Sequence, residues 1–587
     1  MKPRAHAIAC FFVLFCLAAG PALAQASREE VCPRSAVGSS VSQPEDLRSK
    51  NGVLKVQLSY HSYVDSRGQT RYCYLDQHGA ESPTLRVKPG DRLVIALKND
   101  LPTEAAAPAM AEHRHSAGKC ARGPMTAAST NLHFHGFEIP PTCHQDDTLN
   151  TLIGPSAAPF EYSFIVPREQ PPGLYWYHPH VHGFNKVQIL GGASGALIVE
   201  GLERVDGMVS GLPERVIVIR DQDLMFPDAA PQPSDSMPPP QVLRDAEGDI
   251  LNTGSGTGKP AKDLSINFVP VPFPEYQPAV IAMKPEEREL WRVLNASAIT
   301  YLDLQFLVRD QPEMVGVVAM DGIPVNANGN TQHPVVWKGH VLLPPAARAE
   351  FLVKAPPQGV PAALVTRSVD TGPAGENDPT RPLAKIIAVG DAPEPPSKLP
   401  GSPAILARQD EAPLSQLKPA RERKLYFSER PQDPKDPNSP TVFFLTVDGQ
   451  KPAAFDPRSP LPNITARQGD VEDWTIENRT QELHDFHIHQ THFQLLEWNG
   501  VPVNEPYLRD TINVAYWDGR SPVYPSVKLR IDFRSPNIVG TFVYHCHLLE
   551  HADGGMMGTI RVLPAAHPAR ARTHSARAAT RVNPPAN

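Results

Sequence analysis

A chain of 587 residues is too long for one ordinary domain and points to three or four. Its 65 prolines, its many short Val, Ile, Leu and Phe runs between turn residues, and its scarcity of long apolar repeats at helical spacing favour all-β sandwiches. The net charge of −7 is mild, which argues against nucleic acid or a charged membrane surface as a partner.

The first residues read as an export signal. Met1-Lys2-Pro3-Arg4 is basic, Ala7 to Gly20 is apolar, and Ala22-Leu23-Ala24 is a small-x-small cleavage site. Residues 1–24 are therefore expected to leave the chain before Gln25. The apolar run is short for a membrane span, so no membrane insertion is expected once the signal is gone. No twin-arginine pair precedes it, which favours export by the general unfolded route, to the periplasm or out of the cell. Cys10 and Cys16 leave with the signal. Apart from Cys546, the remaining cysteines are Cys32, Cys73, Cys120 and Cys143, enough for two disulfides in an oxidising compartment by any of three connectivities.

Further along, Leu85 to Asn99 reads as strand, Pro-Gly turn, strand. Pro102 to Ser129, rich in small residues, reads as a surface loop in which His113 and His115 are solvated. The strand–turn–strand pattern returns at Ile281 to Asn295 and at Ile464 to Asn478, each time ending on Asn. Three occurrences roughly 190 residues apart indicate three copies of one β-sandwich. The expected boundaries are 25–205, 212–392 and 421–565, with a Pro-rich linker at 393–420 and a disordered Ala/Pro/Arg-rich tail at 566–587. Phe226 to Lys259 reads as a loop or disordered insertion in the middle copy. That copy holds only His333 and His340 and no Cys, so it lacks the means for a metal site like those described next.

The chemistry is concentrated in histidine pairs at alternate positions. His133-Phe134-His135 and His178-Pro179-His180 lie in the first copy, His487-Ile488-His489 and His545-Cys546-His547 in the third. Thr541 to Tyr544 reads as a strand leading into the last pair, so Cys546 faces one side while His545 and His547 face the other. Cys546 with His484, His551 and Met556 makes the donor set of a blue-copper site: two His, one Cys and a weak thioether. The other eight imidazoles exceed what one zinc uses and suit three coppers with open positions for a small molecule. Because the pairs come from both ends of the chain, the cluster must lie between the first and third copies. Four one-electron metals match the four electrons that turn dioxygen into water.

This constellation resembles the multicopper oxidases, the family of laccases, ascorbate oxidase, cuprous oxidases and bilirubin oxidase, over nearly the whole mature chain. The resemblance implies three cupredoxin-like Greek-key sandwiches and four copper ions. The type 1 copper would take His484, Cys546, His551 and, axially, Met556. The type 2 copper would take His133 and His487, and the type 3 pair His135, His178, His180, His489, His545 and His547. It also implies donor oxidation at the type 1 site, near the exposed edge of His484. Electrons would then pass through Cys546 into His545 and His547, and dioxygen would be reduced at the cluster. His182 and His492 match family positions outside the ligand set. A proton-relaying carboxylate is expected at Asp146 or Asp147.

Two positions depart from the family pattern. Asp485 stands where Pro usually follows the type 1 histidine, which would lower the copper potential or attract cationic substrates. Ala552 stands where several bacterial relatives carry a Glu implicated in proton delivery, shifting weight to Asp146 or Asp147. No Met-rich segment marks a specialised cuprous oxidase. The expected function is a monomeric, laccase-like oxidase of phenols or aromatic amines. The alternatives are an oxidase of Cu(I), Fe(II) or Mn(II) in copper tolerance, and an inert copper-binding or assembly protein.

Overall fold

The computed structural model describes residues 30–566, apart from 103–119, 121–124, 156, 231–242, 246–248, 326, 328–334, 393–412 and 437–438. The export signal, His113, His115, His333, most of the linker and the tail beyond residue 566 lie outside the described residues. Strands dominate, as the composition requires, and they form six sheets in three pairs. Each pair encloses an apolar core drawn from both of its sheets. The alternation is plain in Val53–Val64, where Leu54, Val56, Leu58 and Tyr60 point inward. The chain is thus all-β, built of three cupredoxin-like sandwiches.

The repeated sequence pattern corresponds to one repeated structural unit. In each copy the short strand before the turn (Thr84–Val87, Ala279–Met283, Ile464–Arg467) pairs in parallel with the copy's last strand (Gly195–Val199, Arg381–Ala388, Met557–Leu563). The strand after the turn (Arg92–Asn99, Arg288–Asn295, Val471–Asn478) crosses to the other sheet. Its terminal Asn has the same task each time. The amide of Asn99 donates to Ala128 O and Ile153 O, that of Asn295 to Thr300 O and Leu343 O, and that of Asn478 to Glu482 O and Val514 O. Each Asn carbonyl accepts the N–H two residues on. A buried side chain that satisfies loop carbonyls in this way is worth about 1–3 kcal/mol when its loss leaves them unpaired, which explains why the pattern ends on Asn.

The second and third copies share a further lock. Arg215 grips Glu289, which accepts from Trp291 Nε1, and Arg423 grips Glu472, which accepts from Trp474 Nε1. The sandwiches are fused rather than strung out, because one apolar core runs through Trp176 and Ile198 of the first, Leu294 and Ala298 of the second and Phe486 and Tyr544 of the third. Cys32 bonds Cys73 and Cys120 bonds Cys143, one of the three expected connectivities, and Cys546 is left free and buried. The Phe226–Lys259 stretch is loop where described, touched by isolated bridges such as Arg244 with Ile250. No described helix is long and apolar enough to cross a membrane.

Candidate metal centre

Strand pairing delivers the histidines. In the first sandwich His133 lies opposite His178 and His135 opposite Trp176; in the third, His487 lies opposite His545 and Phe486 opposite Cys546. These two strand pairs face each other across the domain boundary. The ring of His133 stacks on His489 at 3.8 Å and that of His135 on His487 at 3.9 Å, within 15° of parallel. His545 Nε2 lies 3.3 Å from both His180 Nε2 and His489 Nε2, and His547 packs 5.3 Å from His135 and 5.7 Å from His178. All eight are buried. The sets His133/His487/His489, His133/His135/His178 and His180/His489/His545 each bring three nitrogens within 4.8 Å of one another.

The electrostatics fit a cation. Four rings are oriented through one nitrogen: His133 Nδ1 by Asp146, His135 Nε2 by Asp510, His178 Nδ1 by Pro179 O and His487 Nδ1 by Asp510 O. The opposite nitrogens (His133 Nε2, His135 Nδ1, His178 Nε2, His487 Nε2) are buried without a hydrogen-bond partner. Orphaned nitrogens in this number are costly unless something electrophilic sits among them. Burial holds His135, His178, His180, His487, His489 and His547 well below the ordinary imidazole range and His545 down to about 3. They are therefore neutral, the form that binds metal.

A second pocket opens on the other face of the same strand, as the alternation at Cys546 predicts. Cys546 Sγ lies 3.7 Å from His484 Nδ1 and 3.7 Å from His551 Nδ1, and the two nitrogens are 2.9 Å apart. A short helix, Leu549–Asp553, returns His551 to the thiol. The Met556 backbone then closes the loop, its N–H donating to His551 O and its carbonyl accepting from Cys546 N–H. Burial and the neighbouring Asp485 push the thiol well above its ordinary range. A thiolate here thus needs a metal ion to compensate it.

Two expectations about this pocket are corrected. His484 has no exposed edge, for it is 0% exposed and its Nε2 pairs with Thr480 Oγ1 at 2.9 Å. His551 is buried as well, and Glu482 lies beside both rings, 3.4 Å from His551 Nε2 and 3.8 Å from His484 Nε2. Asp485 does not attract cationic substrates, because it too is 0% exposed and its carboxylate accepts from the N–H groups of His547 and Leu548 and from Cys546 Sγ at 3.4 Å. It braces the turn that joins the two pockets, and burial pushes its carboxyl up to about 7.

The acids near the cluster separate clearly. Both oxygens of Asp146 lie 3.0 Å from His133 Nδ1, and the same carboxylate takes the N–H of Phe134 and the amide of Gln490. Asp147 accepts instead from Asn150, in its own turn. Ala552 sits in an apolar cluster with Leu149, Val543 and Met557. His182 packs 5.3 Å from His180 against Phe455, and His492 Nε2 pairs with Asp321 O, both outside the three-nitrogen sets above.

Sequence reasoning missed Asp510, Gln490 and Glu482. Glu482 lies two residues before His484, so alternation alone would have placed it beside the pocket. It belongs to a carboxylate group with Glu429, Glu376 and Glu550, and burial followed by those neighbours pushes its carboxyl well above the ordinary range. Lys186 bridges Glu550 and Asp249 alongside.

Comparison with known proteins agrees with this geometry. Two sequence models, each described as multicopper oxidase, match residues 125–204 and 433–566, which hold all four histidine pairs. The chain is 24% identical over 486 residues to a multicopper oxidase of Staphylococcus aureus, covering 82% of this chain and 81% of that one. It is 22% identical over 510 residues to a laccase of Bacillus subtilis, covering 81% and 87%. Among solved structures, a variant of the multicopper oxidase McoA from Aquifex aeolicus superposes with a TM-score of 0.62 at 18% identity, covering 89% of this chain and 99% of that one. A Campylobacter jejuni enzyme described as a metallo-oxidase superposes with a TM-score of 0.59 at 22% identity, covering 90% and 96%. The two family models fall on the two sandwiches that carry the buried donors, so the chain carries multicopper-oxidase sequence there and is similar to oxidoreductases that hold copper and use dioxygen with a donor substrate.

Proposed function

We propose that this protein couples one-electron oxidation of phenolic or aromatic-amine donors to the four-electron reduction of dioxygen to water. The observation that carries the reading is the adjacency of the two pockets: Cys546 lies with His484 and His551, while its chain neighbours His545 and His547 belong to the eight-histidine cluster. His484, Cys546, His551 and Met556 would hold a type 1 copper, and His133 and His487 a type 2 copper. A type 3 pair would take His135, His178 and His547 on one side and His180, His489 and His545 on the other. Copper bound there supplies four one-electron equivalents and a place for dioxygen to be reduced.

The chain's own residues do the rest. The Cys546–His545 and Cys546–His547 peptide units give a covalent route between the pockets, and Asp485 holds that turn rigid. Asp146, paired with His133 and Gln490, is placed to move protons at His133 Nδ1. We assign the sandwiches to 25–205, 212–392 and 421–565, the linker to 393–420 and the tail to 566–587. Residues 1–24 are assigned as a signal to the periplasm or beyond, and the mature chain as a monomer.

A second reading is favoured by one observation. Glu482, 3.4 Å from His551 Nε2 and among Glu429, Glu376 and Glu550, suits a cationic donor such as a reduced metal ion. Oxygen uptake by copper-loaded protein with phenols, aromatic amines, Cu(I), Fe(II) and Mn(II), repeated with Glu482→Gln, tests both. Uptake with phenols that survives the substitution supports the first reading. Uptake with metal ions alone, lost in Glu482→Gln, supports the second. Full copper with no uptake from any donor defeats both and leaves a binding or assembly protein.

A further inference from the structure

The middle sandwich reaches the histidine cluster through the buried side chain of Arg348, with Asp321 beside it. Arg348, 0% exposed, begins the strand Arg348–Lys354. Its Nη1 and Nη2 donate to the two oxygens of Asp510, each at 2.7 Å, in the two-pronged geometry that only a guanidinium offers a carboxylate. It also donates to Asp321 O at 2.9 Å in its own sandwich and to Leu174 O at 3.3 Å in the first. Asp510 in turn faces the cluster twice. Its Oδ1 lies 3.2 Å from His135 Nε2, and its backbone carbonyl accepts from His487 Nδ1 at 2.8 Å. Thr511 Oγ1 donates to the same Oδ1 at 3.0 Å, and the Asp510 N–H donates to Asp321 Oδ2. The fit is close: a Cβ on Gly136 would lie 2.5 Å from Arg348 Nη2 and 2.9 Å from Asp510 Oδ2.

Stability does not explain this arrangement, since a buried ion pair is often no better than apolar residues of the same volume. Its geometry does something apolar residues would not. With Arg348 donating to both oxygens, Asp510 acts as acceptor toward His135, so His135 carries its proton on Nε2 and turns the Nδ1 lone pair into the cluster. The same residue, through its carbonyl, fixes His487 with Nε2 turned inward. These are the two rings stacked at 3.9 Å across the boundary between the first and third sandwiches.

We propose that Arg348 and Asp510 are positioning residues of the cluster, so that the middle sandwich, which offers no equivalent histidine cluster of its own among its described residues, sets the orientation of His135 and His487. This rests on the copper-oxidase reading above. Outer partners of metal-binding histidines are typically worth roughly 10- to 100-fold in metal affinity. Arg348→Lys keeps the charge and loses the fork, and Asp510→Asn keeps the shape and loses the charge. The controls are wild type and Glu350→Gln, which weakens a buried ion pair within the middle sandwich, Arg292 with Glu350, and the contact of Glu350 with the Leu174 N–H of the first sandwich, and which touches none of the histidines of the cluster. Each protein is loaded with Cu(II), and copper per chain, the type 2 electron paramagnetic resonance signal, the blue absorption of the Cys546 centre and the unfolding midpoint before loading are compared.

Arg348→Lys and Asp510→Asn are expected to need roughly 10- to 100-fold more free copper to fill the cluster and to alter the type 2 signal. Their blue band stays, and their unfolding midpoints stay close to that of Glu350→Gln, whose type 2 signal is that of wild type. Variants that load like wild type with an unaltered type 2 signal overturn the proposal. So does a loss of the blue band and of folding in step with the cluster, which would mark a merely structural pair. A wild-type chain that takes up no copper at the cluster would instead defeat the reading on which the proposal rests.

Discussion

The middle and third sandwiches show how little of this fold depends on its chemistry. Both cross between sheets at the same parallel pairing, both carry the Arg–Glu–Trp lock, and both end the repeated strand on a buried Asn whose amide holds two backbone carbonyls. In the third sandwich the residue opposite the Asn-bound Val514 is His484, followed by His487 and His489; in the middle one the residue opposite the Asn-bound Leu343 is Leu302, followed at the same steps by Gln305 and Leu307. One scaffold thus accepts either a set of histidines or residues of other kinds at the same steps. The donors are an addition to a frame that stands without them.

If scaffold and chemistry are separable in this way, Cys546→Ser gives the largest effect on activity and the smallest on folding. Donor oxidation falls to background and the blue absorption disappears, while the cluster still loads and the apo unfolding midpoint stays near wild type. A collapse in folding would break the comparison. Next in size, Asp146→Asn is expected to lower oxygen turnover by roughly 10²-fold or more, with anaerobic reduction of the Cys546 centre unchanged under stopped flow. Asp147→Asn, whose carboxylate serves Asn150, stays within about twofold by the same logic. Equal losses from both would contradict the placement of the relay.

A smaller effect sharpens the shared frame. Asn295→Ala and Asn478→Ala each cost about 1–3 kcal/mol of stability by leaving two loop carbonyls unpaired, measured by denaturant unfolding. Only Asn478→Ala also disturbs the blue band, because Asn478 holds Thr480, the partner of His484 Nε2. The subtlest is Asp485→Asn, which keeps an acceptor for the His547 and Leu548 N–H groups and removes a carboxylate beside Cys546. The potential of the Cys546 centre should rise by about 60 mV, one tenfold step for a one-electron couple. Voltammetry showing no rise would mean that Asp485 acts only as a brace.

The fold and the grouping of the histidines were legible in the sequence because both are local signals. Alternate histidines imply one face of a strand, a Cys between two of them implies two faces, and the Asn-terminated pattern marks each copy. What the sequence did not show is what depends on chain segments meeting. Arg348 and Asp510 stand 162 positions apart and join three sandwiches. The choice between Asp146 and Asp147 turns on which way a single loop residue faces. The burial of His484 and His551 depends on segments that meet only in the fold, with Thr480 against the first and Phe443 stacked on the second. Asp485 could be read as attracting cationic substrates because nothing in its neighbours shows that two N–H groups wait for it.

The central claim is that donors oxidised one electron at a time at Cys546 supply a four-electron reduction of dioxygen at the cluster. Simultaneous measurement of copper per chain, donor oxidised and oxygen consumed tests it most directly. The account predicts four coppers per chain and four donor molecules oxidised per dioxygen, with no hydrogen peroxide. Full copper loading with two donors per dioxygen and peroxide released, or with no oxygen consumed, would contradict it.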